Sequence, residues 1–77
     1  MVKEKDKYFS IYKKLGDNIR KARKQNKLSQ EELAFRVLSA RNYIGCIERA
    51  EKAASLAMIY DIASALDVNI EDLFKEI

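Results

Sequence analysis

Apolar residues recur along the chain at helical spacing, without the strict alternation that is typical of a strand. In the first third, successive apolar positions lie four, three, four and three residues apart, and lysine or arginine fills the faces between them. This stripe predicts a helix over about 5–26, which either runs through Gly16 or starts anew near Leu15. Asn26 and Lys27 are expected to close the helix, because asparagine tolerates the left-handed conformation that ends many helices. The stripe consists of Tyr8, Tyr12, Leu15, Ile19 and Ala22.

Three capping signals divide the rest of the chain into further short helices. Ser29 and Glu32 have the spacing of a capping box, Ser55 precedes a second apolar stripe, and Asn69 with Asp72 begins a third. The sequence therefore predicts an all-α fold, a compact bundle of four to five short helices. The positions expected on the buried faces are Leu33, Ala34, Val37, Ile44, Ile47, Ile59, Ile62, Ala63, Leu66, Leu73 and Phe74.

The composition is that of one small globular domain, and it leaves little material for catalysis. We assign all 77 residues to a single domain over 1–77, in which 1–14 form an N-terminal helical extension. One cysteine and no histidine argue against a disulfide, a zinc site or a Cys/His nucleophile. No apolar run reaches the roughly 20 residues that span a bilayer, and no secretory signal is recognisable. We expect a cytoplasmic protein that is not an enzyme and that uses no cofactor, metal or small-molecule ligand.

Charge is distributed unevenly along the chain. Residues 1–27 carry ten lysines and arginines against three acidic residues, a net charge of +7, whereas residues 28–77 carry five against nine, a net charge of −4. A basic end on a small domain fits a polyanionic partner, but it also fits a solvated helix face. From charge alone, the solvated face is the favoured interpretation.

The segment from Leu28 to Arg49, LSQEELAFRVLSARNYIGCIER, combines two short helices with a connection of a few residues. It resembles the Cro/lambda-repressor-like (XRE-type) helix-turn-helix family, and SLAMIYDIASALDVNIEDLF downstream is similar to that family's fourth and fifth helices. The resemblance covers roughly residues 15–75, with the motif at 29–49 and its second helix at about 40–49. Within it, R-x-Y-I at the start of the second motif helix looks most like the controller proteins of restriction–modification systems.

This resemblance implies a sequence-specific, DNA-binding transcriptional regulator that acts as a homodimer on double-stranded DNA, with the second motif helix in the major groove. Arg41 could donate two hydrogen bonds to guanine, Asn42 could pair with adenine or bind phosphate, and Tyr43 could contact phosphate or a thymine methyl. Gly45 would allow a close approach to the DNA backbone. Cys46 is expected to pack or to line the groove rather than act as a redox switch, because no second cysteine or basic cluster accompanies it.

The same resemblance implies three further groups of residues. Gln30 corresponds to the family glutamine that binds phosphate and supports the recognition helix, and Arg23 with Glu48 corresponds to a structural ion pair. The family dimerises through its C-terminal helices, although apolar residues there could instead close the monomer core. The N-terminal extension could pack on the core or add to the dimer surface. The candidate phosphate contacts are Ser29, Gln30, Arg36, Ser39, Arg49 and Lys52. The candidate dimer contacts are Leu66, Val68, Ile70, Phe74 and Ile77.

The connection between the two motif helices departs from the family pattern. Leu38, Ser39 and Ala40 stand where a glycine, an apolar residue and a capping serine are usual, and Ala50 replaces a second glycine. A leucine with positive φ costs about 1 kcal/mol or more, and alanine is a poor cap, so Ser39 is an alternative cap. Because apolar positions stay in helical phase across the connection, a continuous helix over 30–54 is the alternative to a turn.

Two functions therefore remain open from the sequence. The turned form predicts the DNA-binding regulator, and it is favoured because Ser39, Asn42 and Gly45 weaken a continuous helix. The fused helix predicts a helical interaction or assembly module that does not bind DNA and that exchanges this helix between copies. An enzyme is disfavoured, since the sequence offers no nucleophile–base set and no cluster of metal ligands.

Overall fold

The computed structural model describes residues 7–77, which form four α-helices and a final 3-10 helix. In chain order these are α1 (Phe9–Gln25), α2 (Gln30–Arg36), α3 (Arg41–Glu48), α4 (Leu56–Ala65) and the 3-10 helix Ile70–Phe74. No strand occurs among the described residues, and the predicted all-α bundle is confirmed. The predicted start of the first helix near residue 5 lies outside residues 7–77. Within them α1 runs unbroken through Gly16.

The core is one cluster of aliphatic side chains to which every helix contributes. Ile19 of α1, Leu33 of α2, Ile44 of α3 and Ile62 of α4 are fully buried in it, and Leu73 of the 3-10 helix packs against them. Burying an aliphatic side chain of this size contributes about 1.5–3 kcal/mol. This cluster, more than intrinsic helix propensity, therefore holds such short helices in place.

Side-chain caps begin three of the helices as the sequence predicts. Ser29 Oγ accepts a hydrogen bond from the Glu32 amide at 3.0 Å, while the Glu32 carboxylate accepts one from the Ser29 amide at 2.8 Å. Ser55 Oγ caps the start of α4 at 3.1 Å. The Asn69 amide donates to the Asp72 carboxylate at 3.0 Å and begins the 3-10 helix. These caps satisfy amides that the first turn of a helix leaves without a backbone partner.

Each of the four α-helices ends around a residue in the left-handed conformation. After α2, the Ser39 amide donates to the Ala34 carbonyl at 2.8 Å, and Leu38 between them has a φ of 55°. This arrangement is the Schellman motif, in which glycine is usual at the left-handed position. After α1, Asn26 is the C-cap, so the predicted end of the helix is confirmed, and the left-handed residue is Lys27 rather than the asparagine. The left-handed residues at these four helix ends are Lys27, Leu38, Ala50 and Asp67, and none is a glycine.

The chain therefore turns between α2 and α3, and the helix-turn-helix forms. Val37 is the C-cap of α2, and α3 begins four residues later at Arg41. The alternative of a continuous helix over 30–54 is wrong, and the exchange of such a helix between copies loses its basis. Ala40 is the N-cap of α3 and makes no side-chain cap, so the alternative of Ser39 as the cap is also wrong.

The turn forms because burial outweighs its local cost. Leucine in the left-handed conformation costs about 1–2 kcal/mol. The turn brings Leu33 and Ile44 into the same core, and each contributes about 1.5–3 kcal/mol on burial. The apolar residues whose helical phase allowed a fused helix thus form the facing sides of two separate helices that pack against each other.

We expect Leu38→Gly to raise the free energy of unfolding by about 0.5–1 kcal/mol. Glycine removes the strained Cβ, and the greater freedom of the unfolded chain offsets part of that gain. The leucine side chain is 94% exposed, so its loss removes no core packing. Chemical denaturation measures the change. Leu38→Ala is the control, because alanine keeps the Cβ in the left-handed position, and an equal gain from both variants would contradict the explanation.

Candidate nucleic-acid interface

The outward face of α3 carries the residues predicted to contact bases. Arg41 and Asn42 are exposed in its first turn, and Cys46 is half-exposed one turn later. Tyr43 differs, because its ring packs partly against the hydrophobic core and leaves less surface for a groove. Ile44 points to the opposite side and is fully buried. The helix is thus amphipathic, with an arginine and an asparagine presented together at its N-terminal end.

Gly45 is covered by side chains and not by backbone. A Cβ at this position would lie 2.9 Å from Arg49 Nη1 and 3.5 Å from Gln30 Oε1. The space that the sequence assigns to a close approach of DNA is therefore occupied by the chain's own arginine. Both neighbouring groups end flexible side chains, so this cover can move aside.

A buried ion pair anchors the end of α3 to α1. Arg23 donates from Nε to Glu48 Oε2 at 2.7 Å and from Nη2 to Glu48 Oε1 at 3.0 Å, which forms the predicted structural pair in two-pronged geometry. Arg23 Nη1 also donates to the Leu28 carbonyl at 2.9 Å. Glu48 is only 1% exposed, so its charge depends on these partners.

Gln30 joins this ion pair to the start of α2. Its Nε2 donates to Glu48 Oε1 at 3.1 Å, and Arg20 Nε lies 3.9 Å from the same oxygen with a side chain that is 45% exposed. Among the described residues no buried side-chain nitrogen or oxygen lacks a partner. A fully satisfied network of this kind fixes geometry, because leaving one member unpaired is costly. One carboxylate therefore holds α1, α2 and α3 in a defined relation.

The other candidate phosphate contacts do not all lie together. Ser29 is exposed at the start of α2, Ser39 is half-buried in the turn, and Lys52 is exposed in the loop after α3. Arg36 is set apart, since its Nη1 donates to the Ala65 carbonyl at 3.4 Å, at the carboxyl end of α4. This hydrogen bond attaches Arg36 to α4 and not to α3 or the turn before it.

Arg49, the C-cap of α3, is paired with Glu51. Its Nε and Nη2 donate to the two carboxylate oxygens of Glu51, each at 3.0 Å, and Nη2 lies 3.8 Å from the Cys46 sulfur. The hydrogen bond from Arg49 lowers the pKa of the Glu51 carboxyl, and the same bond raises the pKa of Arg49. Both side chains are about half exposed, so the pair lies at the surface beside the outward face of α3.

The predicted dimer contacts divide between core and surface. Leu66 is 1% exposed within the monomer, which corrects its prediction as a dimer contact. Val68 and Ile70 are partly buried against the core, whereas Phe74 and Ile77 keep more of their surface exposed. Two exposed residues on one face of α4 were not predicted. These are Leu56 and Tyr60, and Leu56 lines an apolar groove with Ile11, Tyr12 and Phe74.

Sequence reasoning missed Arg20 and Glu51 at this surface. Arg20 lies three residues before Arg23 on α1, so the shared helix face was a usable signal for its closeness to Glu48. Nothing comparable identified Glu51, whose position follows from the hydrogen bond of its amide to the Cys46 carbonyl at 2.8 Å, in the turn that ends α3.

Within residues 7–77 no group of three or more His, Cys, Asp or Glu side chains is placed to hold a metal ion. None of the helices there is both long enough and apolar enough to cross a membrane. The chemistry that this surface offers is hydrogen bonding and charge, supplied by Arg41, Asn42, Gln30 and Arg49.

Comparison with known proteins identifies relatives of the whole fold. A helix-turn-helix family model matches residues 19–73. The control protein C.SmaI of Serratia marcescens is 36% identical over 66 residues, which cover 86% of this chain and 79% of that protein. The crystal structure of the restriction-modification controller protein C.AhdI from Aeromonas hydrophila is similar, with a TM-score of 0.83, 38% identity, and coverage of 86% of this chain and all of that one.

A DNA complex is also among the similar structures. SinR, a master regulator for biofilm formation solved with DNA, has a TM-score of 0.72 and 30% identity over 77% of this chain and 95% of that chain. Residues 19–73, which the family model matches, contain the turn, the ion pair and the outward face of α3. The chain therefore belongs to the helix-turn-helix family whose motif is visible between Leu28 and Arg49.

Proposed function

We propose that this protein is a sequence-specific, DNA-binding transcriptional regulator that acts as a homodimer and inserts α3 into the major groove. The observation that carries the proposal is the start of α3, where Arg41 and Asn42 are exposed immediately after a formed turn. A helix of this diameter fits the major groove, and its first turn is the part that reaches base edges. The SinR complex with DNA supports the same use of the fold.

Base recognition is assigned to the exposed residues of α3. Arg41 donates two hydrogen bonds to guanine O6 and N7, and Asn42 pairs with adenine or binds a neighbouring phosphate. Cys46 lines the groove, while Tyr43 reaches it only with the part of its ring that the core leaves free. Gly45 contributes space once the Arg49 side chain moves aside.

Phosphate binding is assigned to residues on either side of α3. Gln30 is oriented by Glu48 and lies beside Gly45, so its remaining N–H can meet a phosphate next to the groove. Ser29, Ser39, Arg49 and Lys52 complete this set. Such contacts position the protein on the duplex and carry no sequence information themselves.

The apolar surface of the C-terminal part of the chain is proposed to bind a second copy of the protein. Of the predicted contacts, Phe74 and Ile77 are the more exposed, and Val68 and Ile70 are partly buried. Leu56, which lines an apolar groove with Phe74, extends the surface onto α4. A two-fold dimer places two α3 helices about 34 Å apart, one turn of DNA. Sedimentation equilibrium tests this assignment, and Phe74→Glu is expected to shift a dimer toward monomer. A monomer at all concentrations for the unaltered protein would refute it.

The protein is proposed to bind DNA in the cytoplasm and not to act as an enzyme. The names of the similar proteins, which are controllers and regulators, support this. Titration with a mixed pool of duplexes at several salt concentrations tests it. The logarithm of the binding constant is expected to fall linearly with the logarithm of the salt concentration. The absence of binding at low salt would refute it. Selection from a random pool then identifies the preferred sequence.

Arg41 and Gln30 are expected to fail in different ways when replaced by alanine. Arg41→Ala removes a base contact, so discrimination at one base pair is expected to fall by about 1–3 kcal/mol. Gln30→Ala removes a phosphate contact and is expected to weaken binding to all sequences alike. Affinities for the selected site and for single-base variants of it separate the two. Equal loss on every sequence from both substitutions would contradict the role of Arg41.

A further inference from the structure

Arg49 is folded back across the face of α3 that reads DNA in the proposed function. A Cβ on Gly45 would lie 2.9 Å from Arg49 Nη1, and Nη2 lies 3.8 Å from the Cys46 sulfur. Two positions assigned to the groove, 45 and 46, are therefore partly covered by this side chain. The cover is maintained by Glu51, which accepts one hydrogen bond from Nε and one from Nη2.

A carboxylate and a phosphate compete for the same donors on a guanidinium. Each presents two oxygens that match the fork of nitrogen donors, and arginine binds both in two-pronged geometry. The donors Nε and Nη2 of Arg49 are both used by Glu51, at 3.0 Å each. These two donors cannot form a two-pronged contact with a DNA phosphate at the same time. Two-pronged contact of Nε and Nη2 with DNA therefore requires the carboxylate to be exchanged for a phosphate.

The position of Glu51 makes this pairing a built-in property of the end of α3. Its backbone amide donates to the Cys46 carbonyl at 2.8 Å in the turn after the helix, with Ala50 in the left-handed conformation between Arg49 and Glu51. This turn directs both side chains toward the same surface. The pairing is thus set by local backbone structure and does not depend on a distant part of the fold.

From these contacts we infer that Glu51 is an internal competitor of DNA phosphate for Arg49, so that it lowers the affinity of the protein for DNA of every sequence. The inference rests on the proposed function. It adds a residue that limits affinity without reading bases, because the contact it opposes is to the sugar–phosphate backbone.

The test compares Glu51→Gln with Glu71→Gln in DNA titrations at low salt, using one selected duplex and one unrelated duplex. Glutamine keeps the shape of Glu51 and removes its charge, so Arg49 is released. Affinity is expected to rise by about two- to fivefold per protomer on both duplexes, the range for an exposed ion pair. Glu71 lies exposed on the 3-10 helix and has no ion pair in the described part of the chain. Its variant measures the general effect of losing one negative charge.

The same comparison in an Arg49→Gln background isolates the pair. If Glu51 acts through Arg49, the gain from Glu51→Gln beyond the Glu71→Gln control disappears when Arg49 is absent. Equal gains from both glutamine variants, or a gain that persists without Arg49, would overturn the inference. So would weaker binding by Glu51→Gln, which would mean that the carboxylate orients Arg49 for DNA.

Failure of the proposed function gives a different result. Absence of binding to either duplex by the unaltered protein and by all variants would overturn that function and this inference with it. Binding by the unaltered protein, with no difference between Glu51→Gln and its control, would overturn the inference alone. Circular dichroism melting of each variant checks that the fold is kept, and both glutamine variants are expected to melt close to the unaltered protein because these residues are exposed.

Discussion

Arg23→Ala is expected to lower the free energy of unfolding by about 3–5 kcal/mol, the cost of leaving a buried carboxylate without its partner. Glu48 is almost fully buried, and Arg23 supplies two of its three hydrogen bonds. Gln30 is neutral, and Arg20, which is 45% exposed and 3.9 Å from one Glu48 oxygen, balances only part of the charge. The free energy of unfolding of a folded domain is about 5–15 kcal/mol, and a small domain lies toward the lower end. The substitution would therefore remove much of the stability of the fold. Urea denaturation followed by circular dichroism measures the change.

The matched control is Arg20→Ala. Arg20 is also an arginine of α1, and its Nε lies 3.9 Å from the same Glu48 oxygen, but its side chain is 45% exposed and makes no hydrogen bond to that oxygen. An exposed partner of this kind is worth about 1 kcal/mol or less. Similar losses from the two variants would show that the buried pair is not what anchors α3.

Gly16→Ala is expected to destabilise the protein, whereas Gly45→Ala is expected to stabilise it. A Cβ on Gly16 would lie 2.5 Å from the Glu48 carbonyl oxygen and 2.7 Å from that of Ile47, both parts of the α3 backbone. Forced overpacking costs about 1–3 kcal/mol, which exceeds the gain in helix propensity of about 1 kcal/mol. We expect a net loss of up to about 2 kcal/mol.

Gly45 provides the opposite case within the same fold. A Cβ there meets the ends of the Arg49 and Gln30 side chains, which can shift, so most of the propensity gain of about 1 kcal/mol is retained. Thermal melting of the two variants gives the comparison directly.

Gly16→Ala is also expected to weaken DNA binding at temperatures where the variant is folded, because the added Cβ forces α1 and α3 apart. A stabilising Gly16→Ala would contradict the close approach of α1 to α3.

Features that depend on neighbours in sequence were predicted well. Ser29 with Glu32, and Ser55 alone, cap helices because the hydroxyl needs only the amides of the next turn. The apolar stripes placed Ile19 and Ile44 in the core for the same local reason. Helix starts and buried faces are therefore readable from spacing.

The turn could not be decided from local preferences. Leu38 and Ala40 are poor at the two positions they occupy, one left-handed and one capping, and each argued for a fused helix. The contribution that reverses this preference is the packing of α2 on α3, which no single residue of the connection reveals. Such tertiary packing routinely overrides intrinsic propensity.

Contacts between distant segments were predicted only where the family pattern contains them. Arg23 and Glu48 are 25 residues apart and were found through the resemblance alone. The contact of Gly16 with the end of α3 was not predicted, since the sequence shows only a glycine inside a helix. The pairing of Arg49 with Glu51 was also missed, because it requires the path of the turn after α3.

The absence of glycine at the C-terminal ends of the four α-helices affects how much of the protein a cell can accumulate. Lys27, Leu38 and Asp67 each place a side chain in the left-handed conformation at a separate exposed corner of the fold. Changes at separate sites add nearly independently, and a shift of about 1–2 kcal/mol alters steady-state abundance several-fold through turnover of the unfolded chain. Occupancy of a DNA site depends on the concentration of its regulator as well as on affinity. Substitutions at these corners can thus change dosage while the residues of α3 that are proposed to contact DNA stay unaltered.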